Sequence, residues 1–175
     1  MSLSVVMERT EMTARLFHLA NHDVLTGLAN RNLLFDRLNH AISQTARQQG
    51  QLAVLFLDLE EFKDVNDAYG HDVGDGVLRR AAERLRACVR AGDTVARLGG
   101  DEFVLVLENI AGQGDVNHVV EKIKTGFEQP FDVNAHSIML GINIGCAIYP
   151  GDGMDMDTLL SYADSRMYQD KRSGA

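Results

Sequence analysis

Residues 94–107 read TVARLGGDEFVLVL. Strand-like runs flank two glycines, Gly99 and Gly100, and two carboxylates, Asp101 and Glu102, follow them. The pattern predicts a β-hairpin whose tip carries the glycines and the acids. Adjacent glycines accept positive φ and place no side chain between the backbone and a ligand, so an anionic substrate can lie against this turn.

The two acids at the tip have two interpretations. Mg²⁺ binds one or two carboxylates together with substrate phosphate oxygens, so acids beside a ligand-sized gap favour a divalent cation between protein and phosphate. Gly-Gly-Asp is also the composition of an ordinary solvated hairpin turn. The turn taken alone favours the second interpretation.

A further acid, Asp58, follows the apolar run LAVLFL at residues 52–57. The run does not alternate between apolar and polar residues, which is typical of a central strand buried on both faces. Acids at a strand end and at the tip of a neighbouring hairpin can converge on one metal. Asp58 and the hairpin together therefore favour a metal site.

Four ordered blocks resemble the GGDEF family of diguanylate cyclases and together cover about residues 22–174. They read DVLTGLANR at 23–31, DLEEFKDVNDAYGHDVGD at 58–75, GGDEF at 99–103 and ADSRMYQDK at 163–171. The resemblance implies that two GTP molecules are joined into cyclic di-GMP. Each 3′-hydroxyl attacks the α-phosphate of the other nucleotide, with loss of pyrophosphate.

The resemblance also implies roles for the acids. Asp58, Asp101 and the Leu59 carbonyl are the expected ligands of Mg²⁺ or Mn²⁺, because phosphoryl transfer needs positioning and charge neutralisation more than covalent help. Asp101 and Glu102 are the catalytic candidates for assisting deprotonation of the 3′-hydroxyl. Family position favours Asp101.

Guanine recognition is expected of Asn66 and Asp75, with Gly99 and Gly100 lying against the substrate. A carboxylate accepts hydrogen bonds from the guanine N1–H and 2-amino groups, and an Asn amide can pair with the remaining purine edge. Without the family resemblance, Asn66 and Asp75 would be interpreted as cap or turn residues beside the neighbouring glycines.

The triphosphate is expected to meet Lys63, Lys171 and the backbone amides near Glu61 and Phe62, at a strand-to-helix turn. Lysines more often solvate a helix face, so both lysine assignments depend on the motif. No GxxxxGK[ST] pattern occurs, which excludes a P-loop nucleoside triphosphatase.

Two positions depart from the family pattern. Glu60 stands where the family usually has Asp, which keeps the charge on a longer side chain. The closing helix usually continues into a Gly-Arg-Asn-like sequence, whereas this chain ends at residues 173–175 without that second cation. Either Arg172 compensates poorly for that cation or the sequence was cut at this point, so the affinity of this fragment for GTP stays open.

Arg90 and Asp93 form an RxxD pattern that stands five residues before the Gly-Gly pair and resembles the site at which these enzymes bind their product. Arg can hold a phosphate or a guanine in a bidentate manner, and Asp can accept from the guanine edge. Charged helix ends are common, so the offset from the turn is what favours product inhibition by cyclic di-GMP.

Composition agrees with one catalytic domain. The formal charge of −8 argues against a nucleic-acid-binding surface, and two cysteines are too few for a disulfide framework. No run approaches the roughly 18 apolar residues of a membrane span, and no signal peptide is visible. A cytoplasmic location is expected, although missing segments can attach a longer protein to a membrane.

Apolar periodicity predicts the order helix, strand, helices, hairpin, helix, strand, helix, with Asn30 as a helix cap. A hairpin among helix-connected strands predicts an α+β fold with a mixed central sheet flanked by helices. The resemblance implies the palm-like, ferredoxin-like arrangement of nucleotide cyclases, with the hairpin at the active site.

Residues 1–22 are predicted to form a linker or signalling helix, and residues 23–175 the GGDEF domain. A vector-derived start is one interpretation of residues 1–3. A helix docked on its own domain is an equal alternative for the first segment. The family resemblance implies a sensory domain, and a phosphodiesterase domain is also possible. The input signal and the kinetic constants are beyond what the sequence determines.

One site holds one GTP, so the reaction requires a homodimer with two domains facing each other in an antiparallel, two-fold arrangement. Two other functions stay open. The chain could be a catalytically silent module that senses GTP or cyclic di-GMP, or a related cyclase that makes a 3′,5′-cyclic monophosphate. The intact signature at 99–103 disfavours the sensing module, and the four blocks, which are specifically those of GGDEF proteins, disfavour the other cyclase.

Overall fold

The computed structural model describes residues 2–173, which form helices and strands in the predicted order. The helices are α1 (Leu3–Asn21), α2 (Arg31–Gln48), α3 (Phe62–Tyr69), α4 (His71–Ala87), α5 (Gln113–Phe127) and α6 (Met156–Ser173). The strands are β1 (Gln51–Leu59), β2 (Thr94–Gly99), β3 (Glu102–Ile110), β4 (Phe131–Val133), β5 (His136–Ile138) and β6 (Ile142–Tyr149). The expectations for a vector-derived Met1 and for the chain end at 174–175 lie outside the described residues.

The main sheet has the strand order β2-β3-β1-β6, which is the split βαβ order of a ferredoxin-like fold. The predicted fold class is confirmed, but the strand directions differ in one detail. Each neighbouring pair in this sheet is antiparallel, namely β2 with β3, β3 with β1, and β1 with β6. Parallel pairing is confined to an isolated bridge between Ala29 and Ala96.

Strand β1 is buried from Leu52 to Leu59 because helices cover both faces of the sheet. Its odd-numbered residues pack in one apolar cluster with α4 and α5, and its even-numbered residues pack in a second cluster with α2 and α6. This two-sided burial explains why the run does not alternate. Asp58, an even-numbered position, therefore faces the α2 and α6 side.

Helix α2 begins as predicted at Asn30, whose side-chain oxygen accepts a hydrogen bond from the Leu33 amide at 3.1 Å. The Asn30 amide side chain donates to the Ala20 carbonyl at 2.8 Å, and its backbone N–H donates to the Asn21 carbonyl. Asn30 thus joins the end of α1 to the start of α2.

Helix α1 has no buried residue, and large apolar side chains such as Met12, Leu16 and Phe17 are exposed along it. An isolated helix of this length is marginally stable in water without a packed face. Its role as a linker stays a prediction. A search of the described helices finds none with the length and apolar character needed to cross a membrane.

The short β4–β5 hairpin, which the sequence did not predict, follows a loop that Arg84 of α4 holds in place. The Arg84 guanidinium donates to the carbonyls of Gly126, Gln129 and Pro130 at 3.1, 2.8 and 2.6 Å. It also lies 3.7 Å from the centroid of the Phe131 ring. One side chain therefore satisfies three carbonyls at the end of α5.

Arg84→Ala should lower the free energy of unfolding by about 2 kcal/mol, because hydrogen bonds from a charged donor are worth about 1.5–3 kcal/mol and are not additive. Arg80→Ala is the matched control. Arg80 has only a 4.0 Å contact with Glu83 on the exposed surface, so its loss should cost less than about 0.5 kcal/mol. Urea unfolding measures both, and equal losses would contradict this role of Arg84.

Candidate active site

The centre of the site is Asp58, whose carboxylate is buried near the end of β1. Its register partners are Glu102 at the start of β3 and Asn143 in β6. The Asn143 amide donates to Asp58 Oδ1 at 3.0 Å, and Lys171 Nζ of α6 lies 3.6 Å from Asp58 Oδ2. Three strands and the last helix therefore meet at this carboxylate.

The Gly-Gly turn projects beside Asp58 as predicted. Gly99 and Gly100 have φ angles of 143° and 51°, which an L side chain rarely adopts, and a Cβ on either would meet no neighbouring atom. Leu59 donates its backbone N–H to the Asp101 carbonyl at 3.4 Å. Leu59 and Asp101, two of the expected metal ligands, are thus backbone neighbours.

The turn is fixed by Arg97, which the sequence analysis did not single out. Its Nε donates to the Gly100 carbonyl at 3.0 Å, and its Nη1 donates to Asp23 Oδ1 at 2.9 Å. Asp23 Oδ2 also accepts from the amide and the hydroxyl of Thr26. Burial alone would raise the pKa of Asp23, but the bonds from Thr26 and Arg97 outweigh it and lower that pKa.

The acids of the turn carry unfavourable charge. Burial, and then the charge of Asp58, raise the pKa of Asp101, although Lys171 and Arg97 oppose the shift. Burial also raises the pKa of Glu102, helped most by Asp164 and then by the other two acids. Carboxylates whose pKa values are raised by burial and by neighbouring charges are typical of functional sites.

The predicted guanine-binding pair lies at the junction of α3 and α4, where Asn66 and Asp75 are both half-buried. A Cβ at Gly74 would overlap the Asn66 carboxamide, so the glycine provides the space in which that side chain lies. Among residues 2–173, no hydrogen bond or ion pair joins Asn66 or Asp75 to the three acids Asp58, Asp101 and Glu102. Their role in base recognition stays a prediction.

The predicted phosphate contacts are separated. Glu61 has a left-handed conformation with φ 57° immediately before α3, and Phe62 is buried beneath the turn. Lys63 is exposed and forms no ion pair within the described chain, whereas Lys171 reaches Asp58. The structure therefore brings only one of the two predicted lysines to the acids.

The departures from the family pattern are also located. The Glu60 N–H donates to the Gly141 carbonyl at 2.9 Å, and its carboxylate lies where a Cβ on Gly141 would be. The longer Glu side chain thus packs against this loop. The Arg172 guanidinium lies 5.9 Å from the centroid of the Tyr168 ring.

Hydrogen bonds within the chain hold the two residues of the predicted product site, Arg90 and Asp93. Asp93 accepts from the amides of Arg90 and Glu108, both at 3.0 Å, and the Arg90 guanidinium donates to the Glu108 carbonyl at 2.7 Å. Asp93 is nearly enclosed, while about two thirds of the Arg90 side chain is exposed. A cavity of about 270 Å³, lined in part by Cys88 and Lys122, lies beside this pair.

The donor set at Asp58 fits a hard divalent cation. Asp58, Asp101 and the Leu59 carbonyl supply oxygen ligands, and Mg²⁺ commonly uses one or two carboxylates and completes its shell with water and phosphate. No group of three or more acidic, histidine or cysteine side chains close enough for a metal occurs within residues 2–173. A site with two carboxylates does not require such a group.

Comparison with known proteins identifies the family. The sequence model described as "Diguanylate cyclase, GGDEF domain" matches residues 20–175, and the chain belongs to the GGDEF family. It is 50% identical over 159 residues to the bifunctional diguanylate cyclase/cyclic di-GMP phosphodiesterase MucR of Pseudomonas aeruginosa. That match covers 91% of this chain and 23% of MucR, so the chain spans about a quarter of this relative.

Two solved structures are similar throughout. The GGDEF domain of TpbB (YfiN) from Pseudomonas aeruginosa has a TM-score of 0.85 at 38% identity, covering 87% of this chain and 89% of that one. The coiled coil and GGDEF domain of DgcB from Caulobacter crescentus, in complex with c-di-GMP, has a TM-score of 0.88 at 25% identity. That match covers 98% of this chain and 91% of the DgcB chain.

Asp101→Asn should raise the melting temperature of the metal-free protein near neutral pH, because the neutral amide removes a carboxylate whose ionised form is disfavoured by burial and by Asp58. The folded protein holds the Asp101 proton to a higher pH than the unfolded chain does. The gain should therefore vanish below the ordinary aspartate pKa and grow as the pH rises through the raised pKa.

Each kcal/mol of relief corresponds to about 2–4 °C in a domain of this size. Thermal melts on both sides of the carboxyl range measure the gain, with the exposed Asp36→Asn as a control that should show none. Melting of Asp101→Asn below the wild type near neutral pH would show that this carboxylate stabilises the fold.

Proposed function

We propose that the chain is a diguanylate cyclase that condenses two GTP molecules into cyclic di-GMP and two pyrophosphates. The observation that carries the proposal is the convergence of Asp58, Leu59 and Asp101, with Lys171 beside them. Family membership and the similarity to TpbB and MucR support the same reaction. In this proposal these groups would supply oxygen donors for a cation and an ammonium group for phosphate.

In the proposed reaction each 3′-oxygen forms a bond to the α-phosphorus of the other GTP, and the bond to the leaving pyrophosphate oxygen breaks. The 3′-hydroxyl proton must leave as the new bond forms. Asp101 is assigned as its acceptor because of its position in the GGDEF signature. Glu102, whose pKa is raised first by burial, is the second candidate.

Asp58, Asp101 and the Leu59 carbonyl would hold Mg²⁺ or Mn²⁺. When bound, such a cation neutralises negative charge on the phosphates and polarises the attacking oxygen. Lys171 would contact the triphosphate, together with the backbone amides at Glu61 and Phe62.

Base selection is assigned to Asn66 and Asp75. The Asn66 carboxamide lies against Gly74, in the space that a Cβ at position 74 would occupy. This close packing favours a fixed orientation of the amide. Each bidentate pair with a base supplies about 1–3 kcal/mol of discrimination in related recognition. Lys63, exposed on α3, is assigned a peripheral phosphate contact.

Catalysis requires two copies, and the apolar residues of α1 provide a surface for pairing. Val5, Met12 and Leu19 recur every seven residues with Leu16 between the last two, and all four are exposed. A heptad of this kind favours a coiled coil, and the DgcB structure comprises a coiled coil together with its GGDEF domain. Residues 1–22 are therefore proposed as a linker helix that brings two GGDEF domains together and connects them to a sensory domain. The GGDEF domain itself is proposed to lie in the cytoplasm.

Incubation of the chain with GTP and Mg²⁺ should yield cyclic di-GMP, identified by chromatography and mass. Asp101→Ala should yield none, and the exposed Asp36→Ala should match the wild type. Binding of GTP or cyclic di-GMP without turnover would instead identify a sensing module, and a cyclic monophosphate would identify another cyclase.

Specific activity should fall when the protein is diluted, because catalysis requires two copies. Leu16→Glu should make this fall begin at a higher protein concentration.

Product inhibition is assigned to Arg90 and Asp93. Arg90→Ala should raise the cyclic di-GMP concentration that halves the rate about ten-fold or more, because a charge-assisted contact is worth about 1.5–3 kcal/mol. Arg79→Ala, an exposed arginine on α4 without an ion pair in the described chain, controls for loss of charge. Equal inhibition of Arg90→Ala and the wild type would disprove the assignment.

A further inference from the structure

The two oxygens of Asp58 have partners of different kinds. Oδ1 accepts the hydrogen bond of Asn143, a residue that is only 3% exposed. Oδ2 lies 3.6 Å from the ammonium group of Lys171, whose side chain is 54% exposed. One oxygen is therefore held by a buried donor, and the other is neutralised by a cation that water can reach.

We propose that Asn143 is a positioning residue for metal binding, and that Lys171 is an exchangeable counter-ion which a divalent cation displaces from Asp58. The inference rests on the proposed function, since that function places a divalent cation at Asp58. It assigns to Asn143 a role that its position in an apolar strand does not indicate.

The burial of Asn143 supports the first half of the proposal. Its flanking residues, Ile142 and Ile144, belong to the apolar core on the other face of the sheet. A buried amide costs free energy unless it is hydrogen-bonded, and the side-chain bond of Asn143 within the described chain goes to Asp58. The pair therefore fixes the carboxylate, because rotating it would leave both polar groups unsatisfied.

The geometry of Lys171 supports the second half. A buried carboxylate requires a compensating charge, and in the metal-free protein the ammonium group supplies it. A half-exposed ion pair contributes little net free energy, so a cation with more favourable oxygen coordination can replace it. Lys171 is then released next to the phosphates that enter with the metal, which couples metal binding to triphosphate binding.

Mn²⁺ binding without nucleotide, followed by electron paramagnetic resonance, tests the exchange. Lys171→Met should bind Mn²⁺ about two- to five-fold more tightly than the wild type, the range that a partly exposed ion pair permits. The same variant should bind GTP more weakly when metal is present. Arg172→Met removes a neighbouring positive charge that stacks on Tyr168, and it should leave the Mn²⁺ affinity unchanged.

Asn143→Leu should weaken Mn²⁺ binding about ten-fold or more, the cost typical of losing a group that orients a metal ligand. Thermal melting confirms that this variant is folded, and Asp58→Asn should abolish binding. Should Asn143→Leu not fold, Asn143→Ser, a smaller change that keeps a polar group, tests the positioning half and should also weaken Mn²⁺ binding. Lys171→Met tests the counter-ion half in either case, because its side chain is half-exposed.

Three results would overturn the inference. Unchanged, weaker or absent Mn²⁺ binding in Lys171→Met, or an equal gain in Arg172→Met, would disprove the counter-ion role of Lys171. Unchanged Mn²⁺ binding in a folded Asn143 variant would disprove the positioning role of Asn143. Failure of the proposed function is a separate result. If Mn²⁺ affinity shifts as expected while the wild type makes no cyclic di-GMP, the exchange at Asp58 stands and the cyclase assignment fails.

Discussion

The register of β1 against β3 and β6 is the constraint on which the site depends. It pairs Asp58 with Glu102 on one side and with Asn143 on the other. A slip of one residue would turn every side chain of β1 to the opposite face. Because both faces of β1 are buried in separate apolar clusters, such a slip would disturb two cores at once. The packing of the strand thus fixes the position of its acid.

This arrangement places negative charges where they oppose one another. Burial disfavours ionisation of Asp101 and Glu102, and the nearby charge of Asp58 adds to the effect at both. The apolar clusters on both faces of the sheet hold the acids together despite this repulsion. Strain retained at a site in this way is common where charge must be available for a ligand.

The sequence was sufficient for the helices, for the strands of the main sheet and for the acids nearest the turn, but not for the β4–β5 hairpin. The unbroken apolar run predicted β1, the glycine pair predicted the turn, and Asn30 predicted the start of α2. Periodicity cannot show which strand inserts between two others. For this reason the sequence predicted a mixed sheet, whereas all neighbouring strands of the main sheet are antiparallel. It is also silent on partners distant in sequence, since Asn143 is 85 residues from Asp58 and Arg97 is 74 residues from Asp23.

Those distant partners also connect α1 to the turn. Asn30 bonds to the last carbonyls of α1, Asp23 follows that helix, and Arg97 joins Asp23 to the Gly100 carbonyl. A movement of α1 relative to the sheet would stretch one of these bonds or carry the turn with it. The turn has no side chain at its two glycines to resist displacement, so Arg97 and the Leu59–Asp101 backbone bond determine its position. The same few contacts that orient the acids therefore make their geometry sensitive to the helix that precedes the domain.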